Sequence, residues 1–236
     1  YNKNLFLLNP QTFSQSFNRV EEIFKKLKNK IEIENIESRI IIDQTIYTIQ
    51  QSLGIGFDLL GESNSSRKLV GNRFEELLRL IFVELGFAVK RNNLRIPYTT
   101  EEGDKYYRCE TDMIISSKEK IESDSTNISP DELVVSLKAT TKDRMGKIFI
   151  DKLLMEKFIR HPIKVIGISL NDIQRKSTDK ISNTFVSNLF MVYSDFLTEL
   201  EGYYYIDLPH VAESSPYNER IFKFSKLVTE DIWQLV

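Results

Sequence analysis

The sequence predicts an α/β sandwich built around a mixed sheet. Three observations carry that expectation. Apolar residues recur at three- and four-residue steps through most of the chain up to Gly86, five short β-rich runs follow, and a helical period separates the third run from the fourth.

Taken in order, "TFSQSFNRVEEIFKKLKNKIE" places Phe13, Phe17, Val20, Ile23, Phe24 and Leu27 on one helical face. "IESRIIIDQTIYTIQQSL" continues in kind until Gly54 and Gly56 are expected to stop it, so residues 1–60 read as an N-terminal helical subdomain. Residues 61–236 read as the core domain with a C-terminal helix. "GESNSSRK" is a polar hinge or loop, and "LVGNRFEELLRLIFVELGF" is an amphipathic helix with Gly86 as its C-cap. "FAVKRNNLRIPY", "YYRCETDMIIS", "ELVVSLKAT", "IKVIGISL" and "LFMVYSDF" are rich in Val, Ile, Tyr and Phe and bounded by turn residues, which predicts strands. "DRMGKIFIDKLLMEKFI" lies between two of them as a helix, and "NERIFKFSKLVTEDIW" is the C-terminal helix. The apolar-poor "SSKEKIESDSTNISPD" is expected to be an exposed, mobile loop, and "NDIQRKSTDK" a polar loop able to lie on a phosphate backbone.

Composition narrows the chemistry. With 236 residues, 41% of them hydrophobic, the chain can bury a full core. No apolar run approaches the roughly eighteen residues of a membrane span, and "YNKNLFLLNP" lacks a signal-peptide pattern, so a cytoplasmic protein without a membrane partner is expected. One cysteine, Cys109, excludes an internal disulfide. With only His161 and His210 beside it there is no Cys/His set for zinc, and any metal must be a hard one held by oxygen. The net charge of -2 neither announces nor excludes a nucleic-acid partner.

The chemistry concentrates on two strands. If "CETDMIIS" and "LVVSLK" are neighbours, period-two alternation puts Glu110, Asp112 and Ile114 on one face and Ser136 and Lys138 on one face of theirs, so Asp112 and Lys138 can meet. A strand-end carboxylate can hold Mg²⁺, and a lysine beside it can orient or activate an attacking water, as phosphodiester hydrolysis requires. Taken alone, the pair is more often a surface salt bridge than a catalytic pair. Two acids add weight. On the preceding helix Glu75 falls about 100° from the buried Phe74, at the edge of the apolar stripe, whereas Glu76 falls about 200° away. On the following helix, Asp151 lies near the inward side.

This set of residues resembles the PD-(D/E)XK nuclease fold, in the type II restriction endonuclease branch that cuts CCGG- or CCNGG-type sites. In that branch the second acid has moved from the strand to the following helix, leaving a serine where Ser136 stands. The resemblance implies a restriction-endonuclease-like mixed sheet flanked by helices. It implies Asp112, Asp151 and Glu75 as Mg²⁺ ligands, Lys138 as the catalytic lysine, and a homodimer acting on double-stranded DNA. Two features depart from the family pattern: the relocated acid is Asp151 rather than glutamate, with Glu156 as the alternative, and no proline precedes Asp112. The same core also serves resolvases, repair nucleases and inactive DNA-binding domains.

In the resembling branch, a basic-acidic-Arg triplet four to six places after the lysine reads C·G pairs; here those places hold Lys142, Asp143 and Arg144. Arginine offers a fork to guanine O6 and N7 and aspartate accepts from cytosine N4, so an acid between two bases suits base reading better than phosphate grip. "TTKDR" also suits a helix start, with Thr141 as N-cap. Lys147, Lys152 and Lys157 read as solvated or phosphate contacts, "GYYYIDLP" and Trp233 as core or dimer contacts, and both histidines as structural.

Overall fold

The computed structural model describes residues 2–59, 63–140, 145–177, 180–183 and 187–236. Helix α1 (Pro10–Lys28) starts where Asn9 Oδ1 accepts from the Thr12 N–H (3.0 Å), with Pro10 in its first turn. Only its second half is buried, through Val20, Ile23, Phe24 and Leu27. Helix α2 (Asn35–Asp58) does not stop at Gly54 or Gly56. Neither glycine faces any group a Cβ would meet, so each costs only its own propensity of about 1 kcal/mol, which the packing of α2 on α1 and α3 outweighs. Helix α3 (Ser63–Glu84) likewise begins inside the expected loop. Its end is as expected: Gly86 adopts φ 97°, and the Phe87 N–H reaches the Phe82 carbonyl (3.0 Å), closing a glycine-terminated cap.

Strands β1 (Ala88–Thr100) and β2 (Gly103–Ser116) form a long antiparallel hairpin. Strand β3 (Leu133–Thr140) pairs antiparallel with β2, α4 (Met145–Ile159) crosses over, and β4 (Lys164–Asn171) returns parallel to β3. Next come a separate two-stranded hairpin, β5 (Ile173–Ser177) and β6 (Lys180–Asn183), then α5 (Ser187–Phe196) and β7 (Gly202–Tyr205). The chain closes with β8 (Ile221–Lys223) and a continuous helical segment: α6 (Phe224–Lys226), a π-helical turn and α7 (Ile232–Leu235). The six-stranded sheet runs β1-β2-β3-β4-β7-β8, antiparallel at the β1 side and parallel from β3 onward.

Two apolar layers sandwich the sheet. Leu133, Val135, Leu137, Ile166 and Ile168 pack with α1, α2, α3 and the C-terminal helices, while Val134, Val165, Tyr203 and Tyr205 pack with α4 and α5 on the other face. This alternation is the period-two pattern of a sheet covered on both sides.

Several expectations change. "LFMVYSDF" is helix α5, not a strand. Phe190 and Ser194, four residues apart, are the buried positions, and Phe190 packs edge-on to Phe149 and Tyr203, so tertiary packing overrides a β-rich composition. "NDIQRKSTDK" contains β5 and the start of β6. The 116–131 segment is not an exposed loop. Ile121, Ser123, Ile128 and Ser129 are buried, and the fully buried Glu132 gathers the N–H groups of Glu122 (2.6 Å) and Ser123 (3.1 Å) and the Ser123 hydroxyl. Lys152 is not solvated: it is 5% exposed, and its ammonium binds the Glu201 carboxylate (3.2 Å) and the Glu199 carbonyl (2.7 Å).

Asp43 on α2 is buried and accepts from the Ser225 N–H (3.1 Å) and hydroxyl (2.7 Å), fixing the start of α6. Burial pushes its carboxyl up to about 7, against the pull of the Ser225 bonds, Lys223 and Arg39. Because the folded value lies above the ordinary 3.8, the stability this group contributes is fully present below 3.8 and is lost as pH rises to about 7. Chemical denaturation across that window should show Asp43→Asn with a shallower fall in stability than the parent; parallel curves would remove Asp43 as the titrating group.

Candidate active site

Strand β2 runs beside β3 only where Met113, Ile114 and Ile115 face Val135, Val134 and Leu133; at Asp112 the two strands part. A β-bulge marks the place. From the Lys90–Ile114 pair to the Asn92–Thr111 pair, β2 advances three residues while β1 advances two. Simple alternation along β2 therefore breaks: Cys109 and Ile114, an odd number of residues apart, lie in the same α4-side cluster. The expected common face for Glu110, Asp112 and Ile114 does not exist, and Glu110 is exposed.

At the fork, Asp112 substitutes for the missing strand. Its Oδ2 accepts from the Leu137 N–H (2.6 Å), from the Lys138 ammonium (3.1 Å) and, at longer range, from the Ser136 hydroxyl (3.5 Å). The ammonium also donates to Ser136 Oγ (3.2 Å) and to the Leu137 carbonyl (2.7 Å), so it rests in a cradle of three oxygens. Lys138 and Asp112 side chains are 16% and 26% exposed, more sheltered than an ordinary surface ion pair yet open to solvent. The sequence-predicted meeting of these two residues is what the fold delivers.

Glu75 on α3 faces the same fork. Burial raises its pKa and the negative charge of Asp112 raises it further, while Arg91 and Lys138 pull it down. Arg91, on β1, forms an ion pair with it. This arginine was invisible to spacing arguments, because its partner lies on a different element.

Asp151 has other neighbours. It pairs with Lys147 one turn earlier on α4, and its charge, after burial, helps push the Cys109 thiol up to about 11. No hydrogen bond or ion pair joins it to Asp112 or Lys138. Glu156, the alternative acid, accepts from the Ile163 N–H (3.1 Å) and lies 3.9 Å from the Lys152 ammonium. Among the described residues, no three His, Cys, Asp or Glu side chains gather into a metal-binding group. Lys142, Asp143, Arg144 and Thr141 lie outside the described residues. His161 contacts Asn127 and Pro162, and the exposed His210 pairs with Glu213, so both stand apart from the fork.

No family model matches the chain, and no curated protein matches it. Among solved structures it is similar to the type IIP restriction endonuclease Kpn2I, with a TM-score of 0.76 at 16% identity, covering 98% of this chain and 74% of that one. It is also similar, at a TM-score of 0.48 and 12% identity, to the restriction endonuclease PspGI in complex with substrate DNA, covering 97% of this chain and 93% of that one. The likeness to Kpn2I gives the fold: a mixed sheet flanked by helices, as in a restriction endonuclease. No described helix is long and apolar enough to cross a membrane.

The coupling of Glu75 to the fork yields a direct test. Asp112→Asn removes a like charge and should lower the Glu75 pKa, whereas Arg91→Ala removes a counter-charge and should raise it. Carboxyl-resolved NMR titration reads both shifts, and a Glu75 that moves in neither variant does not face the fork.

Proposed function

We propose that this protein is a Mg²⁺-dependent, sequence-specific endonuclease of double-stranded DNA, of the type II restriction class. The observation that carries the reading is the three-oxygen cradle around the Lys138 ammonium at the parting of β2 and β3. The likeness of the fold to a type IIP restriction endonuclease supports it.

The donor set fits a hard cation. A carboxylate, a hydroxyl and a backbone carbonyl already surround one positive charge, and the mutual repulsion of Asp112 and Glu75 is relieved by a second. A small set of oxygen donors completed by water and phosphate oxygens suits Mg²⁺, which seldom takes an all-protein cage. Asp112 and the Leu137 carbonyl would hold it, with Glu75 as a supporting acid, and Asp151, paired with Lys147 in this structure, would turn from that pair to add a second. Mg²⁺ bound there supplies electrostatic stabilisation of the charge that builds on the phosphate. The chain's own part is positional: Asp112 fixes the Leu137 backbone, Lys138 exchanges one of its three cradle oxygens for the attacking water and so donates to and orients it, and Arg91 holds Glu75 toward the fork. Lys142, Asp143 and Arg144, directly before α4 in sequence, are proposed to read C·G pairs. Each chain offers one such fork, so cutting both strands of a palindrome calls for a symmetric homodimer.

Plasmid digestion with and without Mg²⁺ tests the activity: discrete, end-sequenceable fragments only with Mg²⁺ support it. Structure-dependent nicks would indicate a resolvase or repair nuclease, and intact plasmid a binding module. Asp112→Ala and Lys138→Ala should abolish cutting while duplex binding persists. Glu75→Gln and Asp151→Asn should each cost about 10- to 100-fold, as supporting groups around a metal do. Glu156→Gln should be tolerated, since its amide oxygen still accepts from Ile163. Full activity in Asp151→Asn would remove that residue from the site.

A further inference from the structure

Beyond the fork the β1–β2 hairpin leaves the sheet. Residues 92–100 and 103–111 pair only with each other, apart from a strap in which the Ser123, Asp124 and Ser125 carbonyls hold the Lys90 ammonium, the Asn92 amide and the Arg95 N–H. The arm's two faces differ. Leu94, Ile96 and Cys109 belong to the α4-side cluster, so Arg91, Asn93 and Arg95 project from the opposite face, together with Arg108. The Arg91–Glu75 ion pair identifies this as the α3 face, the one that carries Glu75 of the candidate active site.

Arg95 stands directly opposite Arg108 in the ladder. Both are exposed, and among the described residues neither guanidinium has a hydrogen bond or ion pair. Like charges facing each other across a ladder destabilise it. Of the arm's acids, Glu102 is held by Lys105, Asp104 accepts from Thr99, and neither Glu101 nor Glu110, the latter on the same face, forms an ion pair with either arginine. Two forked donors side by side across the ladder, without an acceptor, suit an anion with several oxygens. Arg95 lies four residues from Arg91 on the same strand face, about 13 Å at the rise of a strand, which spans roughly four base pairs of duplex.

We propose that Arg95 and Arg108 form a phosphate clamp that grips the backbone of duplex DNA about four base pairs from the phosphodiester at the Asp112–Lys138 fork. The clamp rests on the endonuclease reading and adds to it a sequence-independent contact on the hairpin arm. Because it touches phosphate rather than bases, it contributes affinity and register without specificity.

The test is binding of the full-length Arg95→Gln/Arg108→Gln variant to a random-sequence duplex across a salt series without divalent cations, with melting curves alongside. Each lost phosphate contact removes about 0.9 from the slope of log K against log salt, so the variant should lose up to about 1.8 and bind both cognate and scrambled duplexes more weakly by the same factor. Its melting temperature should hold or rise, since a repulsion is removed, and Arg95→Lys/Arg108→Lys should keep the parental slope. An unchanged slope overturns the clamp, and a lower melting temperature with an unchanged slope assigns the arginines to the arm's own folding. If the parent protein binds no duplex, the endonuclease reading fails and the clamp with it; if the parent binds and cuts while the variant keeps its slope, the clamp alone fails.

Discussion

The Leu137 N–H to Asp112 Oδ2 bond is the contact on which the site depends. Where β2 parts from β3, a strand in mid-sheet would lose a ladder partner, and a buried backbone donor left unpaired costs on the order of 1–3 kcal/mol. Asp112 removes that cost with a side chain. In doing so it becomes fixed within reach of Lys138, because both are tied to the same two residues of β3: Asp112 through the Leu137 N–H, and the ammonium through the Leu137 carbonyl and Ser136 hydroxyl. Geometry demanded by the backbone thus sets the spacing of the two reactive groups.

Rigidity around the fork comes from charges of a different kind, anchored on the buried Lys152. The Lys152 ammonium on α4 holds Glu201 and the Glu199 carbonyl just before β7, and Glu201 in turn accepts from the Val165 N–H (2.5 Å) at the start of β4. Glu156 accepts from Ile163. These contacts anchor α4 against β4 and β7, and Glu132 does the same for the segment that straps β1. They position elements, and their carboxylates are fully engaged with the chain itself, unlike Glu75, whose neighbours include another carboxylate.

What could be read from the sequence follows this division. The α3 stripe with its Gly86 cap, the first four strands and the pairing of Asp112 with Lys138 rest on short-range periodicity, which one chain displays openly. Helix α5 was hidden, because its β-rich composition yields to contacts with Phe149 and Tyr203 from distant elements. Lys152 read as solvated, since nothing local announces Glu201 forty-nine positions later. The polar 116–131 segment resembled a mobile loop for the same reason: its order comes from one carboxylate, Glu132, that sits outside it in sequence. Arg91 carries no local signal, because its partner, Glu75, is on α3.

The bulge was also illegible, and it does more than any single side chain to orient the site. Without the extra residue, Cys109 and Ile114, five residues apart, would fall on opposite faces of β2, and one of them would leave the apolar layer beneath α4. One inserted residue lets Ile114 and Cys109 both pack in that layer while the carboxylate between them turns to the fork, under the influence of Glu75 on α3. The same phase change keeps Arg108 on the α3 face, opposite Arg95. Reading β2 as an ideal strand assigns its two ends to inconsistent faces, and the inconsistency falls between Cys109 and Ile114, where the chemistry sits. A break in alternation flanked by buried residues on both sides is therefore informative in itself: the chain accepts a local defect in the ladder because the defect is what aims its acid.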